Sequence, residues 1–101
     1  MPVNCIQQGR TLTARLAGEI DHHGAKIIMA ELAEQIDAAL PEQLILDLSE
    51  VTFMDSSGIA VVLNAWRRMN QLEGVVEVHQ PPHQAKKVLL AAGLDRLMKF
   101  L

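Results

Sequence analysis

A chain of 101 residues, half of them apolar and 21% charged, has room for one hydrophobic core, so residues 1–101 read as a single domain. A net charge of −3, with basic residues scattered apart from Arg67-Arg68 and Lys86-Lys87, argues against nucleic acid as a partner. Cys5 stands alone, which excludes an internal disulfide and fits a reducing cytoplasm; there is no leader-like N-terminus, and no apolar run approaches the ~20 residues of a membrane helix.

Strand and helix signals alternate along the chain. Residues 3–7 read as a short strand, and Gly9-Arg10 as a hairpin turn. Over 11–17, Leu12, Ala14 and Leu16 alternate with Thr11, Thr13 and Arg15, the pattern of a half-buried strand that Gly18 is expected to end. Residues 25–40 carry Ile28, Leu32, Ile36, Ala39 and Leu40 on one helical stripe, closed by Pro41. The run at 44–48 is nearly continuous in apolar residues and suits a central strand, with 49–54 expected as a loop. A second helix is predicted to about residue 72, with Ile59, Val62, Leu63, Trp66 and Met69 on its inner face and Gly74 as its stop. Residues 75–79 form another strand. Pro81-Pro82 opens a third helix with Ala85, Val88, Leu89 and Ala92 inward, ended by Gly93. The apolar tail at 97–101 fits either a last strand or a half-turn. Helices between successive strands predict an α/β domain: a mixed sheet of four to five strands with helices packed against it.

The segment LILDLSEVTFMDSSGI at 44–59, in its strand-loop-helix setting, resembles the STAS family, and within it the free-standing bacterial anti-sigma factor antagonists. GEID at 18–21, the helix after it and AAGLDRL at 91–97 are similar as well, so the resemblance runs through nearly the whole chain. It implies a STAS-type fold and a regulatory protein that binds an anti-sigma factor. In that family the anti-sigma factor is also a serine kinase, which phosphorylates the first serine of the DSSG motif. Carried over, the acceptor is Ser56, with Asp21 and Asp55 at acidic positions near the site. Many relatives continue past the last strand into a further helix, whereas this sequence ends at Leu101. STAS domains also serve as accessory subunits of lipid-transport complexes or as scaffold members of stress-signalling assemblies, which is the alternative role for this fold.

Read from physics alone, Asp55-Ser56-Ser57-Gly58 before a helical stripe is a helix cap, whose side chains accept hydrogen bonds from free N–H groups of the first turn. The two readings coexist, because a phosphate at a helix start meets the positive end of the dipole and unpaired N–H groups. Gly58 is expected to remove bulk where a kinase needs close approach. Ser57 is the competing acceptor, and only the resemblance favours Ser56. Asp21 fits equally as the cap of the first helix or as a neighbour of the phosphosite. A phosphate controls binding directly only beside the contact, so the partner surface is expected at the start of the second helix and along Asn64, Arg67 and Gln71.

An enzyme reading finds little support. Ser57 lacks the G-x-S-x-G elbow, and no glycine-rich phosphate cradle is present, so nucleotide must belong to the partner kinase. None of His22, His23, His79 and His83 is specified by spacing. Pro81-Pro82 breaks any helix that would align His79 with His83 as metal ligands, and no cofactor or metal is expected. Trp66 reads as core or interface. Asp47 in an apolar strand needs partners; a receiver domain carries its acceptor aspartate on a strand too, but this chain is short for that fold and has no acidic pair near its N-terminus.

Overall fold

The computed structural model describes residues 2–101. β1 (Val3–Gln8) and β2 (Thr11–Ile20) form a hairpin closed by the Gln8–Thr11 pair, with Gly9 first in the turn at φ 60°, a conformation a side chain would strain. The chain continues through α1 (His22–Ala39), β3 (Gln43–Met54), α2 (Ser57–Gln71), β4 (Val75–His79), α3 (His83–Ala91), a 3₁₀ turn at Leu94–Arg96 and β5 (Lys99–Phe100). The five strands lie in the order β1-β2-β3-β4-β5, the first pair antiparallel and the others parallel.

Every parallel crossover steps the same way across the sheet, so crossovers of one hand place their helices on the same face. The sequence obeys that geometry. Leu12, Ala14 and Leu16, then Leu44, Leu46 and Leu48, then Val76 and Val78 turn to the helices and are buried. Arg15, Asp47 and His79 alternate to the other face and keep part of their surface in solvent. From the helices, Ala25, Ile28, Leu32 and Ile36 of α1 and Val61, Val62, Ala65 and Met69 of α2 complete the core. No polar or charged residue among those described is buried, so the chemistry of the molecule lies on its surface.

Several sequence expectations are corrected. Gly18 does not end β2. Its φ of 84° sits between two register shifts, and the strand resumes through Glu19 and Ile20. The expected loop at 49–54 is the second half of β3, pairing Glu50, Val51, Phe53 and Met54 with β2. The irregular register replaces strict alternation with burial at every third residue, Val51 and Met54, which hides the strand from a period-two reading. α1 begins at His22, three residues before its apolar stripe. Leu40 turns outward, 53% exposed, because it caps α1 in the left-handed conformation at φ 45°.

In α2 the buried stripe runs through Val61 and Ala65. Ile59, Leu63 and Trp66 only flank the core, since small side chains let this helix lie close to the sheet and to α1. At its end the positive φ falls on Glu73, not Gly74. Gly74 is needed for space: a Cβ there would come 2.8 Å from the Glu42 carbonyl oxygen. Ala92 is exposed because α3 ends at Ala91. The tail resolves as a strand, β5, which extends the sheet beside Glu77 and Val78.

Candidate functional site

Two loops meet at the end of the sheet where β2 and β3 stop. The Asp55 N–H donates to the Ile20 carbonyl at 3.1 Å, which sets the start of α2 beside the start of α1. Asp21 caps α1: its Oδ1 accepts from the Gly24 N–H at 2.8 Å. That hydrogen bond holds the Asp21 carboxyl below the usual carboxylate range. Asp21 is thus both a helix cap and a neighbour of the Asp55 loop.

The α2 start is built differently. Asp55 Oδ1 accepts from the Ser57 N–H at 2.7 Å, the Asp55 carbonyl accepts from the Gly58 N–H at 3.0 Å, and the Ser56 carbonyl accepts from the Ile59 N–H at 3.1 Å. Ser56 occupies the capping position with φ −61° and ψ −17°, but its side chain makes no capping bond and is exposed, while Ser57 is half-buried. The expectation of unpaired N–H groups waiting for a phosphate is corrected: the donors of Ser57, Gly58 and Ile59 are all engaged within the chain. The dipole of α2 still offsets part of an added negative charge.

Gly58 also has a different reason from the one its sequence suggested. It is buried, and a Cβ would stand 2.3 Å from Met54 Cγ and 2.5 Å from its Sδ. The glycine serves the packing of α2 onto the end of β3. Met54 is in turn held by α3, where the Gln84 side chain bonds both its N–H and its carbonyl.

Asn64, Arg67 and Gln71 are exposed on α2 and line a groove of about 200 Å³ against Met29 and Ala33 of α1. Arg68 spans its end, donating from Nε to Asp37 at 2.6 Å and from Nη1 to Gln71 at 3.1 Å. At 1.5 Å per residue, Asn64 lies about 12 Å and Gln71 about 22 Å along the helix from Ser56, so a bound protein rather than a small ligand would span the stripe. A larger hollow of about 860 Å³, between Trp66, Asn70 and the segment at 95–101, includes Glu77, Asp95, Arg96 and Lys99 in its lining but not Ser56.

The remaining candidates are structural. Asp47 accepts from Arg15 Nε at 3.1 Å and from the Ser49 N–H at 3.0 Å. Burial pushes its carboxyl up, but the bonds from Ser49 and Arg15 outweigh that and hold it below its ordinary range. His79 Nε2 lies 3.0 Å from Glu77 Oε1. Among the described residues no three His, Cys, Asp or Glu gather as metal ligands, and no helix is long and apolar enough to cross a membrane. Burial, and then the Glu31 carboxylate, push the Cys5 thiol up, away from reactivity.

The family model described as the STAS domain matches residues 3–101. The chain belongs to the STAS family. Among characterised STAS proteins it is 36% identical over 90 residues to the anti-sigma F factor antagonist of Paenibacillus polymyxa, covering 86% of this chain and 74% of that one. It is 33% identical over 88 residues to the protein of the same name from Lysinibacillus sphaericus, covering 87% and 75%. The solved STAS structure of the anti-sigma factor antagonist SpoIIAA in its unphosphorylated form superposes with a TM-score of 0.83 at 29% identity, over 98% of this chain and 87% of that one. The Bacillus SpoIIAA in its phosphorylated form superposes at 0.75, again at 29% identity, over 98% and 90%.

Gln84 escaped sequence reasoning. A lone glutamine near the start of a helix carries no signal, and its role exists only because β3 runs on to Met54.

Proposed function

We propose that this STAS domain is an anti-sigma factor antagonist that binds a partner serine kinase, itself the anti-sigma factor, and is released when that kinase phosphorylates Ser56. The observation that carries the reading is the Ser56 side chain: exposed, free of any capping bond, and set on a turn in which the N–H groups of Ser57, Gly58 and Ile59 are already bonded. A hydroxyl so placed can be modified without dismantling the helix start. The relatives named as anti-sigma factor antagonists, and the existence of SpoIIAA in phosphorylated and unphosphorylated forms, support the same reading. The role is non-catalytic and cytoplasmic, and nucleotide is bound by the kinase.

The chemistry of the switch is electrostatic. Phosphate adds about −1.5 to −2 charges, beside Asp55 and with Asp21 in the adjoining loop. Within the domain the α2 dipole offsets part of this, on the order of 0.3–1 kcal/mol. At the interface, desolvating the phosphate against apolar or acidic partner groups costs several kcal/mol, and each 1.4 kcal/mol is about tenfold in affinity. The surface that meets the partner comprises the start of α2 and the stripe of Asn64, Arg67 and Gln71.

The test begins with capture of the kinase from the native cell on the immobilised chain. Incubation with ATP and peptide mapping should place the phosphate on Ser56. By calorimetry, wild type and Ser56→Ala should bind the kinase equally, Ser56→Asp more weakly, and the phosphorylated form most weakly. Equal affinities for all four would sink the switch, and a phosphate mapped to Ser57 would move it by one residue.

A further inference from the structure

β3 runs further than β4. The last β3–β4 pair is Asp47 with His79, and from Leu48 to Met54 the strand has β2 on one side and no strand on the other. Successive peptide groups of a strand point to opposite sides. The Asp55 N–H turns toward β2, where it meets the Ile20 carbonyl. The N–H and carbonyl of Met54 therefore point away from β2, at a half-buried place where unpaired backbone groups are costly.

α3 supplies both partners from one side chain. Gln84 Oε1 accepts from the Met54 N–H at 2.8 Å, and Gln84 Nε2 donates to the Met54 carbonyl at 2.6 Å. A primary carboxamide offers a donor and an acceptor side by side, as a neighbouring strand would. Gln84 thus replaces one residue of a missing strand. It is anchored from behind, since Ala85 and Leu89 of the same helix are buried in the core. Met54 packs against Gly58, and Asp55 and Ser56 follow it directly, so the brace ends at the turn that presents the Ser56 hydroxyl.

We propose that Gln84 is a positioning residue for phosphorylation of Ser56: its two hydrogen bonds fix the Met54 peptide, and through it the turn that the kinase must take in one geometry. The role rests on the reading of Ser56 as the phosphoacceptor, while the brace itself does not. Gln84 touches neither the hydroxyl nor nucleotide.

The experiment uses the full chain, the kinase captured above, and two variants. Gln84→Met keeps the length of the side chain and removes both polar groups. Gln84→Glu keeps one acceptor and turns a carboxylate on the Met54 carbonyl. In Gln84→Met, hydrogen exchange of the Met54 amide should rise about tenfold, the size of one hydrogen bond's net contribution, while amides of α1 and β4 stay as they are; in Gln84→Glu, which still accepts from the Met54 N–H, the rise should be smaller. Phosphorylation should slow by a similar factor in kcat with little change in KM, because the α2 stripe that meets the partner is untouched. Lys87→Met, on exposed surface of the same helix, should leave both readouts unchanged. Unchanged Met54 exchange in Gln84→Met overturns the brace. Faster exchange with wild-type kcat overturns the positioning role and leaves Gln84 purely structural. No phosphate on Ser56 of the wild type overturns the functional reading and the role together, with the exchange data still reporting the brace on their own.

Discussion

Two helices of this domain begin with the same frame, Asp-X-X-Gly after a strand: Asp21-His22-His23-Gly24 at α1 and Asp55-Ser56-Ser57-Gly58 at α2. The frame is solved in two ways. At α1 the aspartate is extended, φ −103° and ψ −174°, and its side chain reaches three residues ahead to the Gly24 N–H. At α2 the aspartate reaches only two ahead, to Ser57, and the glycine N–H is taken by its backbone carbonyl. The first arrangement closes the helix end. The second starts the helix one residue later and leaves the intervening serine at an outer corner with its hydroxyl unused. The residue that looks most like a cap, Ser56, does no capping, and that freedom makes it available for modification.

The two glycines give the sharpest test. Gly58→Ala drives a methyl into Met54 and should destabilise the domain by about 1–3 kcal/mol, with the melting temperature falling by roughly 4–8 °C per kcal/mol. Gly24→Ala meets the Glu19 carbonyl oxygen at 3.1 Å, a tight but not overlapping contact. The helix propensity gained from alanine offsets it, and the net change should stay within about 1 kcal/mol. Thermal unfolding of both variants decides; equal losses would erase the distinction between a glycine placed for packing and one placed at a cap.

Asp47, on the open face of the sheet, provides the next largest effect. Asp47→Asn should cost about 1 kcal/mol at neutral pH through weakened bonds to Arg15 and Ser49. Its carboxyl, like that of Asp21, is held below its ordinary range in the folded state. The stability each contributes is therefore complete above the unfolded carboxylate range and is lost as pH falls through the lower folded value. Denaturant unfolding against pH should show an acid limb that is shallower in Asp47→Asn than in wild type. An identical limb would mean that the carboxyl is not depressed. Removing the α1 cap with Asp21→Ala should lower the melting temperature by a few degrees at neutral pH.

The smallest effect belongs to Ser57→Ala. The turn uses the Ser57 N–H and no bond from its hydroxyl, so stability should change by less than about 0.5 kcal/mol. Calorimetric affinity for the kinase should also be that of wild type. A loss of either would show that the second serine, not the first, is the working residue of the turn.

The order of elements, the antiparallel first pair and the DSSG turn were legible, because alternation at 11–17, helical stripes and glycine or proline punctuation all report on local geometry. What stayed hidden depends on partners far along the chain. The second half of β3 is a strand only because β2 resumes beyond Gly18 to pair with it. Gly58 reads as an accommodation to an outside partner until Met54 is seen beneath it. Of the inner face expected for α2, Val62 and Met69 are buried, while Val61 and Ala65 take the places expected of Ile59, Leu63 and Trp66, which only flank the core. Gln84 had no signal at all. Sequence pattern located the DSSG turn; tertiary contact explains how it is held.

The sheet is laid down in the order of synthesis, and that has a consequence for how the molecule folds. Leu12 pairs with Leu44 and Leu44 with Val76, so each parallel step closes over a single helix, and no strand waits for a distant segment to be inserted between its neighbours. Loop-closure entropy is thus met in small and nearly equal instalments. Each parallel pairing still joins residues more than 20 positions apart, as Leu12 with Leu44 or Val78 with Phe100, so every step carries the loop-closure cost that slows parallel sheets. A nascent chain that has emerged through β3 already holds the hairpin and one complete crossover, and each later helix and strand adds to an edge that is already formed. The turn bearing Ser56 is made at the junction of the second and third of these stages, and its brace from α3 arrives only with the last, so that turn is among the final parts of the domain to become rigid.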